Sequence, residues 1–224
     1  MKRSDVNTLI EDAKAFFKSH HFLLPPWAFW GPSDWKGKRQ ECAEIIENML
    51  GWDITEFGSG DFGSCGLMLF TLRNGNPKRD KKTYAEKIMI VRENQETPMH
   101  FHWNKMEDII NRGGGNLIIE LYQSTPEEEF SDEPVMVQVD GITRRVEAGG
   151  RVVITPGESI CLTQGLYHRF YGEEGKGLVL VGEVSQVNDD KTDNRFHREV
   201  GRFPALDEDV APNHLLCSEY ENYL

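Results

Sequence analysis

Between about residues 53 and 185 the sequence is cut into short runs rich in β-branched, aromatic and aliphatic residues, each bounded by Gly, Asn, Asp or Pro. Runs of this length hold a strand but not a core-spanning helix, and the turn residues between them bring the chain back on itself. The runs read DITEF, CGLMLFTLR, EKIMIVR, TPMHFHW, NLIIELYQ, VMVQVDG, ITRRVEA, RVVIT, SICLTQG, HRFYG and GLVLVGEVS. No long helical pattern interrupts them, so parallel βαβ folds are disfavoured and an antiparallel sandwich or barrel is expected. Asp140-Gly141 falls between two of the runs and predicts a tight hairpin.

The flanks carry a different pattern. Val6, Leu9, Ile10, Ala13, Phe16 and Phe17 recur at helical spacing and predict an amphipathic helix over residues 4–19, with Ser4 as its N-cap. Pro25, Pro26 and Pro32 then break regularity amid Trp27, Phe29, Trp30 and Trp35, which reads as an ordered aromatic loop. A second helical pattern through Cys42, Ile45, Ile46, Met49 and Leu50 stops at Gly51. After Ser185 the chain turns polar and irregular. The expected organisation is one domain over residues 1–224: a helical extension at 1–52, a barrel at 53–185, and a tail at 186–224 that wraps back on the barrel.

Charge and composition exclude several classes of function. A formal net charge of -12, with 25 Lys and Arg scattered along the chain, would repel a phosphate backbone, so nucleic acid is not an expected partner. The N-terminus lacks the apolar stretch and cleavage site of an export signal, and no segment approaches the roughly 18 apolar residues of a membrane span. A cytoplasmic protein with no membrane partner is expected. Cys42, Cys65, Cys161 and Cys217 form no C-x-x-C pair and are read as reduced.

The residues most telling of chemistry lie in TPMHFHW. His100 and His102 are two apart, and the period of two along a strand puts both imidazoles on one face. Glu107 follows closely enough for a turn to return its carboxylate to that pair, and barrel closure can bring in His168 from a distant strand. Three imidazoles and a carboxylate suit a divalent ion such as Mn, Fe, Co, Ni or Zn, with positions left for water or substrate.

The spacing of these four residues resembles the two signature motifs of the cupin superfamily, G-x5-H-x-H-x3-4-E-x6-G and G-x5-P-x-G-x2-H-x3-N. The first is met by Asn94, His100, His102, Glu107 and Gly114, with Asn94 in place of the leading glycine; the second by Gly157, Gly165 and His168, with Thr163 and Gly172 departing from the usual Pro and Asn. The resemblance implies a mainly β fold, a jelly-roll type antiparallel barrel with N-terminal α-helices, binding metal through His100, His102, Glu107 and His168. Taken with the N-terminal helices, the Pro-Pro-Trp loop, the HFHWNKMED block and the DNRF and GRFPALDED tail, the whole chain is similar to the bacterial D-lyxose isomerases. That resemblance implies a manganese site, with Co another usable ion, and interconversion of D-lyxose with D-xylulose and of D-mannose with D-fructose. With the exposed strands it also implies a homodimer.

Moving a carbonyl from C1 to C2 requires a proton to leave one carbon and reach the other, so a side chain must sit within hydrogen-bond reach of the sugar. Lys105, between two candidate ligands, and Glu199, in the tail, are the expected catalytic residues. Asp190 and Arg195 are the expected sugar-binding groups, with Asp189 and Asp193 beside them and Glu183 a further acid if it points inward. Trp27, Trp30 and Trp103 could stack on a sugar, whereas His197 and His214 have no ligand spacing, His20 and His21 end a helix, and all four are read as structural or surface residues. Two other activities compete: an oxygen-dependent cupin dioxygenase and a non-catalytic sugar-binding cupin. A phosphosugar is disfavoured, since the chain shows no compact basic cluster and no glycine-rich phosphate loop.

Overall fold

The computed structural model describes residues 1–187, 192–201 and 204–224. After helix α1 (Arg3–Ser19), two 3-10 turns (Pro26–Phe29 and Pro32–Trp35) and the short helix α2 (Ala43–Glu47), the chain enters its strands. These are β1 (Gly51–Thr55), β2 (Leu67–Arg73), β3 (Tyr84–Val91), β4 (Thr97–His102), β5 (Glu107–Gly114), β6 (Leu117–Gln123) and β7 (Val135–Val139), followed by β8 (Ile142–Val146), β9 (Gly150–Ile154), β10 (Ser159–Leu162), β11 (Leu166–Gly172), β12 (Val179–Gln186) and β13 (Asn194–Phe196). Eight form one sheet in the order β1-β2-β3-β12-β5-β10-β7-β8, and five form the other in the order β13-β4-β11-β6-β9. Every pairing between named strands is antiparallel. Asp140 and Gly141 both take positive φ, 50° and 77°, at the β7–β8 hairpin, as a two-residue primed turn requires.

Burial explains why some runs read as continuous apolar stretches and others as alternations. β7 alternates buried and exposed residues because its outer face meets solvent. β1 is buried throughout, and β2 over its first five residues, because α1 covers the outside of the sheet there. Val6, Ile10, Ala13 and Phe17 of the helix pack on Trp52, Ile54, Phe70 and Ile88 of β1, β2 and β3. Each such fully buried side chain stabilises the fold by about 1.5–3 kcal/mol. Between the sheets a second core gathers Leu69, Met89 and Val181 from one side with Leu117, Ile119 and Phe170 from the other.

Three elements depart from expectation. Ser4 is not the helix cap; the helix starts one residue earlier and the Ser4 hydroxyl instead donates to the Asp209 carboxylate at 2.7 Å, tying the N-terminus to the tail. β5 was absent from the expected strands because Asp108, Asn111 and Arg112 break up its apolar pattern. The tail does wrap back, bridging Lys2 to Asp207 and Trp52 to Leu216, but it is not wholly irregular, since Asn194–Phe196 adds a strand beside β4.

Candidate metal centre

β4 carries His100 and His102, both buried, and the register of its partner β11 sets His168 directly opposite His100. The ligand nitrogens of the three imidazoles lie within 4.8 Å of one another. Glu107 opens β5 in the facing sheet, so its carboxylate reaches the histidines across the sandwich rather than along one strand. Its Oε1 lies 3.4 Å from His102 Nε2 and 3.2 Å from His168 Nε2. The connection between β4 and β5 is fixed by Asp193, whose carboxylate accepts hydrogen bonds from Asn104 N (2.8 Å), Asn104 Nδ2 (2.9 Å) and Lys105 N (3.0 Å).

All three rings are oriented in the same way. Nδ1 of His100, His102 and His168 faces the backbone carbonyls of Pro98 (2.7 Å), Asp193 (3.2 Å) and Leu166 (3.0 Å). With the proton on Nδ1, each donates there and its Nε2 keeps a free lone pair, the arrangement found in metal-ligating histidines. Nε2 of His102 and of His168 is buried and makes no hydrogen bond among the described residues, although the Glu107 carboxylate faces both. A buried nitrogen left so is costly unless something else engages it. Burial, with His168 and His102 adding to it, pushes the His100 pKa well below the ordinary imidazole value, so this ring is held neutral. Burial works against the Glu107 carboxylate, but Lys105, His102 and His168 outweigh it and hold the pKa well below the usual range. Neutral imidazoles and an ionised carboxylate are the ligand forms a divalent ion needs, and the donor set fits one.

Behind the ligands runs a chain of buried charges. Lys105 Nζ lies 2.6 Å from Glu107 Oε2 and 3.1 Å from Glu183 Oε1. Glu183 Oε1 also accepts from Lys87 Nζ at 3.2 Å and Ser185 Oγ at 2.9 Å. One Glu107 oxygen is therefore held by lysine and the other is aimed at the histidines. Lys87, Lys105 and Glu183 line the same cavity as His100, His102 and Glu107.

The remaining expected residues are dispersed. Glu199 is exposed and does not line the cavity. Arg195 also lies outside it: alternation along β13 turns Asn194 and Phe196 toward the cavity and Arg195 away, where its Nε donates to Glu128 Oε2 at 2.8 Å. Asp190, with Asp189, lies outside the described residues. Asp193 faces the β4–β5 connection. Trp27 and Trp30 pack against Trp35, and Trp103 donates to Glu128 at 2.8 Å. Lys87 was not singled out from sequence, yet a signal was there: it shares strand phase with Met89 and Val91, so a charge stood in the inward register.

Two antiparallel sheets closed over an inward cluster of three histidines and a glutamate define a cupin-type barrel, and its three histidines form a group that could hold a metal ion. The fold is shared with an L-ribose isomerase from Acinetobacter sp. DL28 solved with L-ribose, at a TM-score of 0.62 and 14% identity over 92% of this chain and 98% of that one. Another from Cellulomonas parahominis aligns equally well, with a TM-score of 0.62 and 12% identity over 92% and 98% of the two chains. A D-lyxose isomerase family profile matches residues 1–220. Among curated relatives, a D-lyxose/D-mannose isomerase of Serratia proteamaculans is 51% identical and one of Escherichia coli O157:H7 48% identical, each alignment spanning 100% of both chains. The chain belongs to the D-lyxose isomerase family, and is a sugar isomerase.

Proposed function

We propose that this protein interconverts free aldoses and ketoses, D-lyxose with D-xylulose and D-mannose with D-fructose, using a divalent ion held by His100, His102, Glu107 and His168, with Mn2+ the native ion and Co2+ a substitute. The observation that carries the reading is the meeting, in one cavity, of a metal-ligand cluster with a buried Lys–Glu pair. Held by these residues, the ion would supply a Lewis acid for charge developing on the sugar oxygens, worth several kcal/mol.

The chain's own residues do the rest. Lys105 bridges Glu107 and Glu183, so it holds the ligand carboxylate in place and stands beside an acceptor through which a proton can pass. Lys105 and Glu183 are the groups we assign to carrying the proton between C1 and C2 in an enediol route. Lys87 and Ser185 orient Glu183 from the side away from the ligands. The apolar wall formed by Leu69, Met89, Ile109 and Phe170 limits water in the cavity, which strengthens these charge interactions.

We further propose residues 1–224 as one functional unit, a cytoplasmic setting and a homodimer. The reducing setting is supported by four free cysteines. The dimer is supported by Met136 and Ile142, 62% and 64% exposed on the β7–β8 edge of the larger sheet. Light scattering of the purified protein decides the assembly.

The test of function is incubation of Mn2+-loaded protein with a panel of free aldoses in air and under nitrogen. Ketose should form from D-lyxose and D-mannose at equal rates in both atmospheres. No ketose from any sugar, or turnover only with oxygen, overturns the reading. Running D-lyxose in D2O tests the proton path: solvent deuterium should appear at C1 of xylulose. Assayed in excess Mn2+ with full metal occupancy verified, Lys105→Met and Glu183→Gln should each lower kcat by about 10²–10⁴-fold. Wild-type turnover in both variants would remove the pair from the proton path.

A further inference from the structure

The cavity changes character along its length. On the smaller sheet its inward rows run from Asn194 and His102, to Phe196, His100 and His168, and then to Thr97 and Phe170. The last row lies beyond the ligands on the side away from His102. There the facing sheet supplies Leu67, which pairs with Thr55, while Gly66 N donates to Glu96 O beside Thr97. The end so formed is apolar apart from the hydroxyls of Thr55 and Thr97.

Their states differ. Thr55 Oγ1 accepts the Phe57 amide at 3.0 Å. Thr97 is 4% exposed, and its Oγ1 finds no hydrogen-bond partner among the described residues. Its inward orientation is itself a departure from strand geometry. Counting back by twos from His102 and His100 puts Pro98 inward and Thr97 outward, but the register slips by one residue between the pairs His168↔His100 and Phe170↔Thr97. A bulge of this kind re-aims a side chain and is common beside active sites. Here it turns a buried, unsatisfied hydroxyl into the cavity, which lowers stability unless a ligand engages it.

We propose that Thr97 is a substrate-binding residue that hydrogen-bonds a hydroxyl of the sugar tail, on C4 or C5, while C1 and C2 lie among the histidines. The proposal rests on the isomerase reading. Thr97 sits one inward row beyond His100, roughly 7–10 Å along the strand. Carbon–carbon bonds of about 1.5 Å let a five-carbon chain, with the reach of two side chains, cover that span. The tail it accepts is neutral: Lys87 and Lys105 both engage Glu183 at the other end, and no cation stands beside Thr97 among the described lining residues.

The test compares Thr97→Val, which keeps shape and removes the hydroxyl, with Thr97→Ser, which keeps the hydroxyl. Both are assayed as Mn2+-loaded enzymes on D-lyxose, 4-deoxy-D-lyxose and 5-deoxy-D-lyxose. Thr97→Val should raise KM for D-lyxose about five- to tenfold with kcat changed less than twofold, and Thr97→Ser should restore KM to within about threefold. On the analogue lacking the bonded hydroxyl, Thr97→Val and wild type should share one KM. The melting temperature of sugar-free Thr97→Val should equal or exceed that of wild type, because an unpartnered buried hydroxyl has gone. The assignment is overturned if Thr97→Val leaves KM for D-lyxose unchanged, or loses the same factor on D-lyxose and both analogues. Absence of ketose from wild type itself would instead count against the isomerase reading.

Discussion

Two clusters of buried charge in this molecule are built on opposite terms. Where the termini meet, Arg3 is fully buried and its guanidinium engages Glu208, at 2.6 and 2.8 Å, and Glu219. Glu219 also accepts the Leu216 amide at 2.8 Å, so its oxygens are spent within the protein. In the barrel cavity, Nε2 of His102, Nε2 of His168 and Oγ1 of Thr97 are buried with no hydrogen bond among the described residues. The first cluster holds the chain together; the second keeps donors and lone pairs in reserve for something that is not protein. Satisfaction of its polar atoms, more than burial or charge count, separates a structural ion network from a site.

That contrast is broken most directly at the histidines. His100→Ala, His102→Ala and His168→Ala should each lower turnover by about 10³-fold or more, in line with the several kcal/mol expected of a metal ion, and should strip metal from the purified protein. The metal-free fold should persist in all three variants, because the core between the sheets is built from residues such as Leu69, Met89, Val181, Leu117, Ile119 and Phe170 rather than from these rings. Full metal occupancy in all three variants, measured by elemental analysis, sinks the ligand assignment.

The opposite pattern is expected at the clamp. Arg3→Met should cost about 3–5 kcal/mol in a denaturant melt, because it leaves the Glu219 carboxylate buried without its cation. Adding Glu219→Gln should recover part of that loss. Specific activity per folded molecule should stay near wild type in both. A larger effect on kcat than on stability would mean that the termini and the cavity are coupled and the comparison is too simple.

Metal linkage sharpens the same line. Excess Mn2+ at about 100 times its Kd should stabilise the wild-type protein by about 2.7 kcal/mol, and chelation should reverse it. Arg3→Met should keep the whole increment; His168→Ala should lose most of it. Equal stabilisation of the two variants would place the ion elsewhere.

How far the sequence disclosed each region follows from what kind of signal each carries. The clustering of the four candidate ligands was legible because strand period puts His100 and His102 on one face, and because Glu107 and His168 fall at the spacings of a recurrent motif. Asn94, standing where that motif has glycine, takes φ 56°, so the substitution preserved the turn. Lys87 and Glu183 were half legible: each shares phase with inward apolar residues, but each is a lone charge in the inward row of its strand and nothing in the sequence names its partner. Thr97 was not legible, because only a register slip turns it inward. Nor was the clamp, whose partners Arg3 and Glu219 are 216 residues apart with no periodicity to relate them. β13 is three residues long and too short to show a strand pattern, so Arg195 could not be separated from its inward neighbours until the pairing with β4 was known.

The smallest effect concerns acid. The Glu208 carboxyl is held below its ordinary pKa of 4.5, chiefly by the hydrogen bond from Arg3, with burial opposing. A carboxylate whose pKa is depressed on folding binds its proton more tightly when unfolded, so it adds stability above the unfolded pKa and loses it as pH falls through the folded one. The Glu208 side chain is 53% exposed, so solvent screening limits the contribution to about 0.5 kcal/mol. Glu208→Gln should therefore destabilise slightly at pH 7. The gap from wild type should close as melts are taken below pH 4.5 toward 3, where the wild-type carboxyl becomes neutral too. Added salt at pH 7 should narrow the gap as well, because a half-exposed pair is screened. A gap that holds constant from pH 7 to 3, or widens in acid, would show that Glu208 acts through packing rather than charge, and the clamp would then reduce to the buried Arg3–Glu219 pair.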